Sequence, residues 1–293
     1  MVEWHDPDSW VTKLFGAHLS TFLITLVVAF GLPILLHLYL YRHRTPVNTA
    51  AFVLVGPSGA GKTSLLTALE TGRPTPTHPS QASQRSILAL PESFIPFSAR
   101  YRSAHDPTNA KTRQLALTDT PGHGKLRAAA LSSALGAASN KNLRGVVFLV
   151  DAAALADPEK LSDAAEHLHD VLLTLQKRYT GSKTSKGPAT TPVLVAANKM
   201  DIFTALPPSL VRAQLEAEIE KVRTTRAKGI LDVGVSEDSL GEEHEWLGGG
   251  GESRFEFKQM EEMNVPVEVV GGSVVGEDGP DVKGWWEWIA AQM

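Results

Sequence analysis

The stretch AFVLVGPSGAGKTSLLTALE, residues 51–70, decides the fold. A compact apolar run, Ala51 to Val55, reads as a strand buried on both faces, and Leu65, Leu66 and Leu69 recur at helical spacing. Between them stands Gly56-Pro57-Ser58-Gly59-Ala60-Gly61-Lys62-Thr63, a P-loop whose backbone N–H groups can converge on phosphate oxygens. The following helix presents the positive end of its dipole, with Ser64 in its first turn. Lys62 supplies a mobile charge for the terminal phosphates, and Thr63 a hydroxyl for Mg2+. A nucleoside triphosphate is therefore the ligand class, and residues 56–64 are its candidate contacts.

Outward from this point, β-type runs alternate with amphipathic ones. The strand candidates are 50–56, 113–119, 145–151, 192–198 and 266–272, compact and largely apolar. Helical patterns cover 62–70, 124–138, 158–179, 208–225 and 285–292. This is the pattern of an α/β, doubly wound, mostly parallel sheet. Segments 71–86 and 180–191 read as polar loops. Segment 235–253, acidic and containing four consecutive glycines, reads as disordered because it lacks the apolar content to offset ordering entropy. In the terminal helix Trp285 and Trp288 share a face, which leaves Trp286 as the candidate for exposure.

Composition excludes some chemistry. The chain has no cysteine, so disulfides, thiolate metal sites and thiol nucleophiles are ruled out. A net charge of -4 gives no support to direct nucleic-acid binding, which would need a basic surface.

Residues 19–41, Leu19 to Tyr41, contain no Asp, Glu, Lys or Arg, and about 20 apolar residues suffice to cross a bilayer as a helix. We read this as a transmembrane helix, with Pro33 inside it. The acidic flank of Glu3, Asp6 and Asp8 argues against a cleaved signal peptide. Arg42 and Arg44 follow the span, so the positive-inside rule puts residues 50–293 in the cytosol and residues 1–18 across the membrane, with 42–49 as linker.

Two further motifs complete a nucleotide site. Asp119 ends the strand before Thr120-Pro121-Gly122-His123, where a carboxylate can hold the Mg2+ shell. Asn198-Lys199-Met200-Asp201 follows the apolar run PVLVAA of the 192–198 strand, and its pattern resembles the guanine-recognition motif of P-loop GTPases. Asp201 can accept from two guanine donors, whereas adenine would leave a carboxylate lone pair unpaired. GTP is thus favoured over ATP.

Together these residues resemble small GTPases of the Ras superfamily on the Arf and Sar side. They resemble more closely the family of β subunits of the eukaryotic signal recognition particle receptor. That resemblance rests on the N-terminal span, GPSGAGKTSLL, DTPGHGKLR, ANKMD, KVRTTRAKG (221–229), the short FEF (255–257) and the terminal WWEWI. It implies a P-loop GTPase domain on a membrane anchor, GTP/GDP with Mg2+, and GTP-dependent binding of the receptor α subunit through that subunit's N-terminal domain. It also implies the endoplasmic reticulum membrane as location and cotranslational targeting as role, with ribosome or translocon as further partners. Gly122 would sit at the switch hinge, and His123 where relatives carry a water-orienting residue; the competing reading is a helix-capping histidine. A switch hydroxyl for Mg2+ would come from Thr77, with Thr75, Ser83 and Ser86 as alternatives, and a last base-contacting loop from Gly272 and Ser273. The 180–191 and 235–253 loops and the wording of that last loop depart from the family pattern.

The reaction implied is water attack on the γ-phosphoryl, with Lys62 and His123 as candidate catalytic residues. No arginine is marked as an internal finger, and Arg85, Arg100 and Arg102 read as solvated or partner-facing, so intrinsic turnover should be slow. The alternatives are a coat-recruiting GTPase of Arf or Sar type and a module that holds GTP without significant hydrolysis. An elongation-factor-like reading is disfavoured by the span.

Overall fold

The computed structural model describes residues 19–44, 49–100, 113–136, 142–181, 190–232, 247–248, 254–276 and 279–293. They fall into two compact units, split between Asn48 and Thr49.

The first unit contains helix α1, Leu19–Arg44, which runs through Pro33. Thr25 Oγ1 donates to the Phe22 carbonyl at 2.9 Å, so that hydroxyl is satisfied within its own helix. Phe22, Leu26, Val27, Phe30, Leu32 and Leu35 are exposed. Among the described residues no helix is long and apolar enough to cross a membrane.

The second unit is a six-stranded sheet of order β2-β3-β1-β4-β5-β6. Its strands are β1 (Ala50–Val55), β2 (Gln84–Ala89), β3 (Gln114–Asp119), β4 (Leu143–Asp151), β5 (Val193–Asn198) and β6 (Val267–Gly271). All pairings are parallel except β2 with β3, which is antiparallel. The helices are α2 (Lys62–Thr71), α3 (Gly124–Leu135), α4 (Pro158–Thr180), α5 (Pro208–Asp232) and α6 (Lys283–Ala291).

Strand periodicity sorts the core into two layers. Val53, Val55, Phe148 and Val195 join Leu131, Leu168, Leu172 and Leu215 from α3, α4 and α5. Phe52, Leu54, Leu149 and Leu194 face Leu65 and Leu66 of α2 and Trp285 and Ile289 of α6. Helices on both sides explain why the central strands read as unbroken apolar runs.

Five expectations are corrected. Residues 84–86, read as loop, begin strand β2; this is a sheet edge whose Ile87 is 68% exposed, so it lacks the apolar signature of a buried strand. Helix α3 ends at Leu135 instead of 138, with Gly136 as its C-cap, while α5 continues past 225 to Asp232. Trp286 is buried along with Trp285 and Trp288, because Phe94 stacks on it at 6.4 Å. Within 235–253, Leu247 is 1% exposed in the core, and the Gly248 amide donates to Gln176 Oε1 at 3.0 Å. The rest of that segment, residues 182–189 and Arg102 lie outside the described residues.

The family-marking stretches in 221–229 and 255–257 are structural. Phe255 and Phe257 are buried, with their amides donating to Glu220 and Glu216 at 2.9 Å. The Arg223 guanidinium lies over the Phe255 ring at 5.5 Å. Arg226 binds Asp170 at 2.6 Å and Glu166 at 3.3 Å, tying α5 to α4.

Candidate nucleotide site

The C-terminal ends of the parallel strands bring the separate motifs to one cleft of about 970 Å³. It lies where helices leave the sheet on opposite faces, α2 after β1 and α3 after β3, the topological switch point at which open α/β sheets bind ligands. Its walls come from the P-loop, residues 77–81, Thr120 to His123, Asn198 to Asp201, and Val274 with Val275.

The P-loop is shaped by close approach. Gly56 has φ +144°, and a Cβ there would collide with the Leu149 carbonyl oxygen of β4, so no side chain can be accommodated. Lys62 is buried, and its Nζ donates to the carbonyls of Gly56 and Pro57, both at 2.8 Å. Burial pulls its pKa down to about 8; Asp119 opposes this shift and Arg127 adds to it.

Asp119 is fully buried at the end of β3. Its Oδ2 accepts from Thr63 Oγ1 at 2.7 Å and from Ser80 Oγ at 2.8 Å, and those two hydroxyls are 2.7 Å apart. Its Oδ1 has no hydrogen-bond partner among the described residues. An orphaned buried carboxylate oxygen beside two hydroxyls is the hard-oxygen donor set that Mg2+ prefers, with phosphates and water completing an octahedron. The site therefore fits that ion.

The hydroxyl that the 71–86 segment brings to Asp119 is that of Ser80. Thr77 lines the cleft, but its Oγ1 pairs with Ser64 Oγ at 2.8 Å, one step removed from Asp119. Ser86 lies within β2, and neither Thr75 nor Ser83 lines the cleft. Arg85 is exposed on β2, and Arg100 sits over the Phe97 ring at 5.6 Å, so neither reaches the phosphate end.

Gly122 packs directly on the P-loop: a Cβ would stand 2.6 Å from Lys62 Nζ and 2.8 Å from the Gly56 carbonyl oxygen. His123 is the N-cap of α3, exposed at the cleft wall, with Nδ1 accepting from the Lys125 amide at 3.4 Å. It has both the capping geometry and access to the cleft. Arg127 reaches back from α3, Nε donating to the Gly122 carbonyl at 2.9 Å, and forks onto both carboxylate oxygens of Asp163 at 2.7 Å.

At the base end Asn198 is a bracket. Its Nδ2 donates to the Ala60 carbonyl at 2.9 Å and its Oδ1 accepts from the Val274 amide at 3.1 Å. Lys199, at φ 65°, pairs with Asp151 at 2.5 Å, and Asp201 stands exposed in the cleft. Gly272 and Ser273 are buried behind the wall, their backbones bonded to Ala197, Met200 and Asp281, while Val274 and Val275 form the lining itself. Ser80 and Val275 carry no local sequence signal and emerge only from the assembled sheet, while Arg127, marked in the sequence as part of DTPGHGKLR, gains its partners only there.

The family model for the signal recognition particle receptor beta subunit matches residues 47–265. The chain belongs to this family. The beta subunit of that receptor from Saccharomyces cerevisiae is 36% identical over 183 residues, and the match covers 62% of this chain and 62% of the yeast protein. The chain thus spans under two thirds of the length of that relative. Two solved structures from Chaetomium thermophilum are also similar. The SRb-GTP/SRX complex is 38% identical, with a TM-score of 0.64, covering 82% of this chain and 98% of that one. SRb-GDP-Mg is 38% identical, with a TM-score of 0.60, covering 84% and 99%.

Proposed function

We propose that the chain is the membrane-anchored GTP-binding subunit of a signal recognition particle receptor. In this reading it binds GTP and GDP with Mg2+ and, in the GTP form, recruits the receptor α subunit through that subunit's N-terminal domain. The observation that carries it is the single cleft uniting Lys62, the Thr63–Asp119–Ser80 triad and the Asn198 bracket with Asp201. The relatives' names, with SRb described bound to GTP and SRX or to GDP and Mg, point the same way.

In this role the P-loop amides and Lys62 hold the phosphates, and Asp201 accepts from the guanine edge. Bound Mg2+, held through Thr63, Asp119 and Ser80, would neutralise charge developing between the β- and γ-phosphates. His123 stands at the cleft wall, where it can orient water. Among the described residues no arginine lines the cleft, and an arginine finger is worth roughly 10³ to 10⁵ in rate, so intrinsic hydrolysis is slow.

The proposal includes a single span at residues 19–41, supported by its uncharged sequence and by the exposed apolar side chains of α1. Residues 1–18 would then be lumenal, the GTPase unit cytosolic and the endoplasmic reticulum membrane its seat, with ribosome or translocon nearby. The test loads the purified chain with a non-hydrolysable GTP analogue, GDP or neither, and measures binding of the α subunit's N-terminal domain. Preference for the GTP form supports the reading, and equal affinity in all three states rejects it. Resistance of the chain to alkaline carbonate extraction tests the span.

A further inference from the structure

We propose that Arg127 is a positioning residue for the nucleotide-sensing segment 119–127, locking the Gly122 carbonyl to helix α4 through Asp163 so that the segment is pre-set for the triphosphate. This rests on the functional reading above and adds a residue to it.

Three observations carry the inference. Arg127 grips two separate elements at once: Nε takes the Gly122 carbonyl at 2.9 Å, and the guanidinium fork takes both oxygens of Asp163 at 2.7 Å. A planar guanidinium can do this in one rigid geometry, whereas a lysine ammonium cannot reproduce both contacts. Second, Gly122 has no slack on its other side, since even a methyl group there would meet Lys62 Nζ and the Gly56 carbonyl. Fixing its carbonyl fixes the Gly122–His123 peptide, and with it the point from which His123 enters the cleft wall. Third, the far end of the grip is stiff: α4 runs from Pro158 to Thr180, and Ala164, Ala165 and Leu168 beside Asp163 are buried in the core.

A segment held in its competent arrangement pays little ordering cost when a γ-phosphate engages it, while GDP lacks the phosphate that would contact the Gly122–His123 peptide and gains less from that arrangement. The pair is also partly exposed, with Asp163 at 44%. As a simple surface ion pair it would contribute little to stability. A stability measurement therefore does not separate the two roles, but the preference between nucleotides does.

The experiment measures affinities of the full chain for GDP and for a non-hydrolysable GTP analogue in Asp163→Asn, Arg127→Gln, Arg127→Lys and the Asp163→Asn/Arg127→Gln pair. Each single variant should lose about tenfold for the triphosphate and stay within about threefold for GDP, a coupling of ordinary size. The double variant should be no worse than either single, because one linkage is being cut. Parallel loss for both nucleotides, or no change in either, overturns the inference. Should Arg127→Gln fail to fold, Asp163→Asn alone carries the test, with GDP affinity as its folding control. A wild-type chain that binds neither guanine nucleotide overturns the functional reading and this inference with it.

Discussion

Asn198 on β5 and Ala60 in the P-loop are joined by a buried 2.9 Å hydrogen bond, so the base-reading and phosphate-reading motifs form one rigid piece. Asn198→Ala would orphan the Ala60 carbonyl and the Val274 amide, at a cost of about 1–3 kcal/mol for each buried group. The expected result is a loss of guanine-nucleotide affinity of at least about tenfold, at about 1.4 kcal/mol per decade. Fluorescent-nucleotide titration checks it, and unchanged affinity would show that the bracket is not needed.

The hydroxyl triad makes a prediction about metal dependence. Asp119→Asn should raise the Mg2+ concentration needed to retain nucleotide by about 10- to 100-fold, and Ser80→Ala should raise it less. Thr77→Ala, removed from Asp119, should leave it nearly unchanged. Nucleotide release during chelator titration gives the ranking; a larger effect at Thr77 than at Ser80 would return the switch role to Thr77.

His167 makes a prediction about acid stability. It is 2% exposed on α4, against Phe148, with Nδ1 unpartnered among the described residues. Burial, reinforced by Arg127 and Lys62, pulls its pKa from 6.5 to about 3. Between these values the unfolded chain binds a proton that the native chain does not, so stability falls as pH drops below 6.5, by about 1.4 kcal/mol per pH unit from this group. Chemical denaturation from pH 7 to pH 5 should show this slope in wild type and a shallower one in His167→Leu. Identical slopes would remove His167 from the account.

The terminal helix predicts a core defect. Trp288 is 7% exposed, edge-on to Phe52 at 6.3 Å and pressed against Gly145 of β4. Trp288→Ala should cost about 3–5 kcal/mol of stability. Gly145→Ala should also destabilise, since its methyl group would meet the indole at 2.7 Å. Thermal unfolding of the two variants decides this.

What the sequence discloses and what it conceals follow from range. Strands β1, β3, β4 and β5 are buried along most of their length, so each announces itself in a few contiguous apolar residues, and β6 keeps enough valines to be seen at its edge; β2, at the other edge with Ile87 outward, does not. The P-loop and Asn198 to Asp201 are legible for the same reason, since their chemistry is packed into short stretches. Ser80 acquires its place only through Asp119, and Arg127 only through Asp163, partners distant along the chain. Nothing in the helical period of α6 foretells Trp286's burial either, because its cover, Phe94, arrives from another part of the chain.

The packing of α6 also gives the molecule an optical readout. The Trp285 indole donates to the Val270 carbonyl at 3.1 Å, and its ring lies against Gly272, two residues before Val274 on the base-side wall. An excited indole so placed senses shifts of that wall through its emission wavelength and lifetime. The intrinsic fluorescence of the chain therefore carries a contribution from the base end of the cleft, beside that of its five other tryptophans.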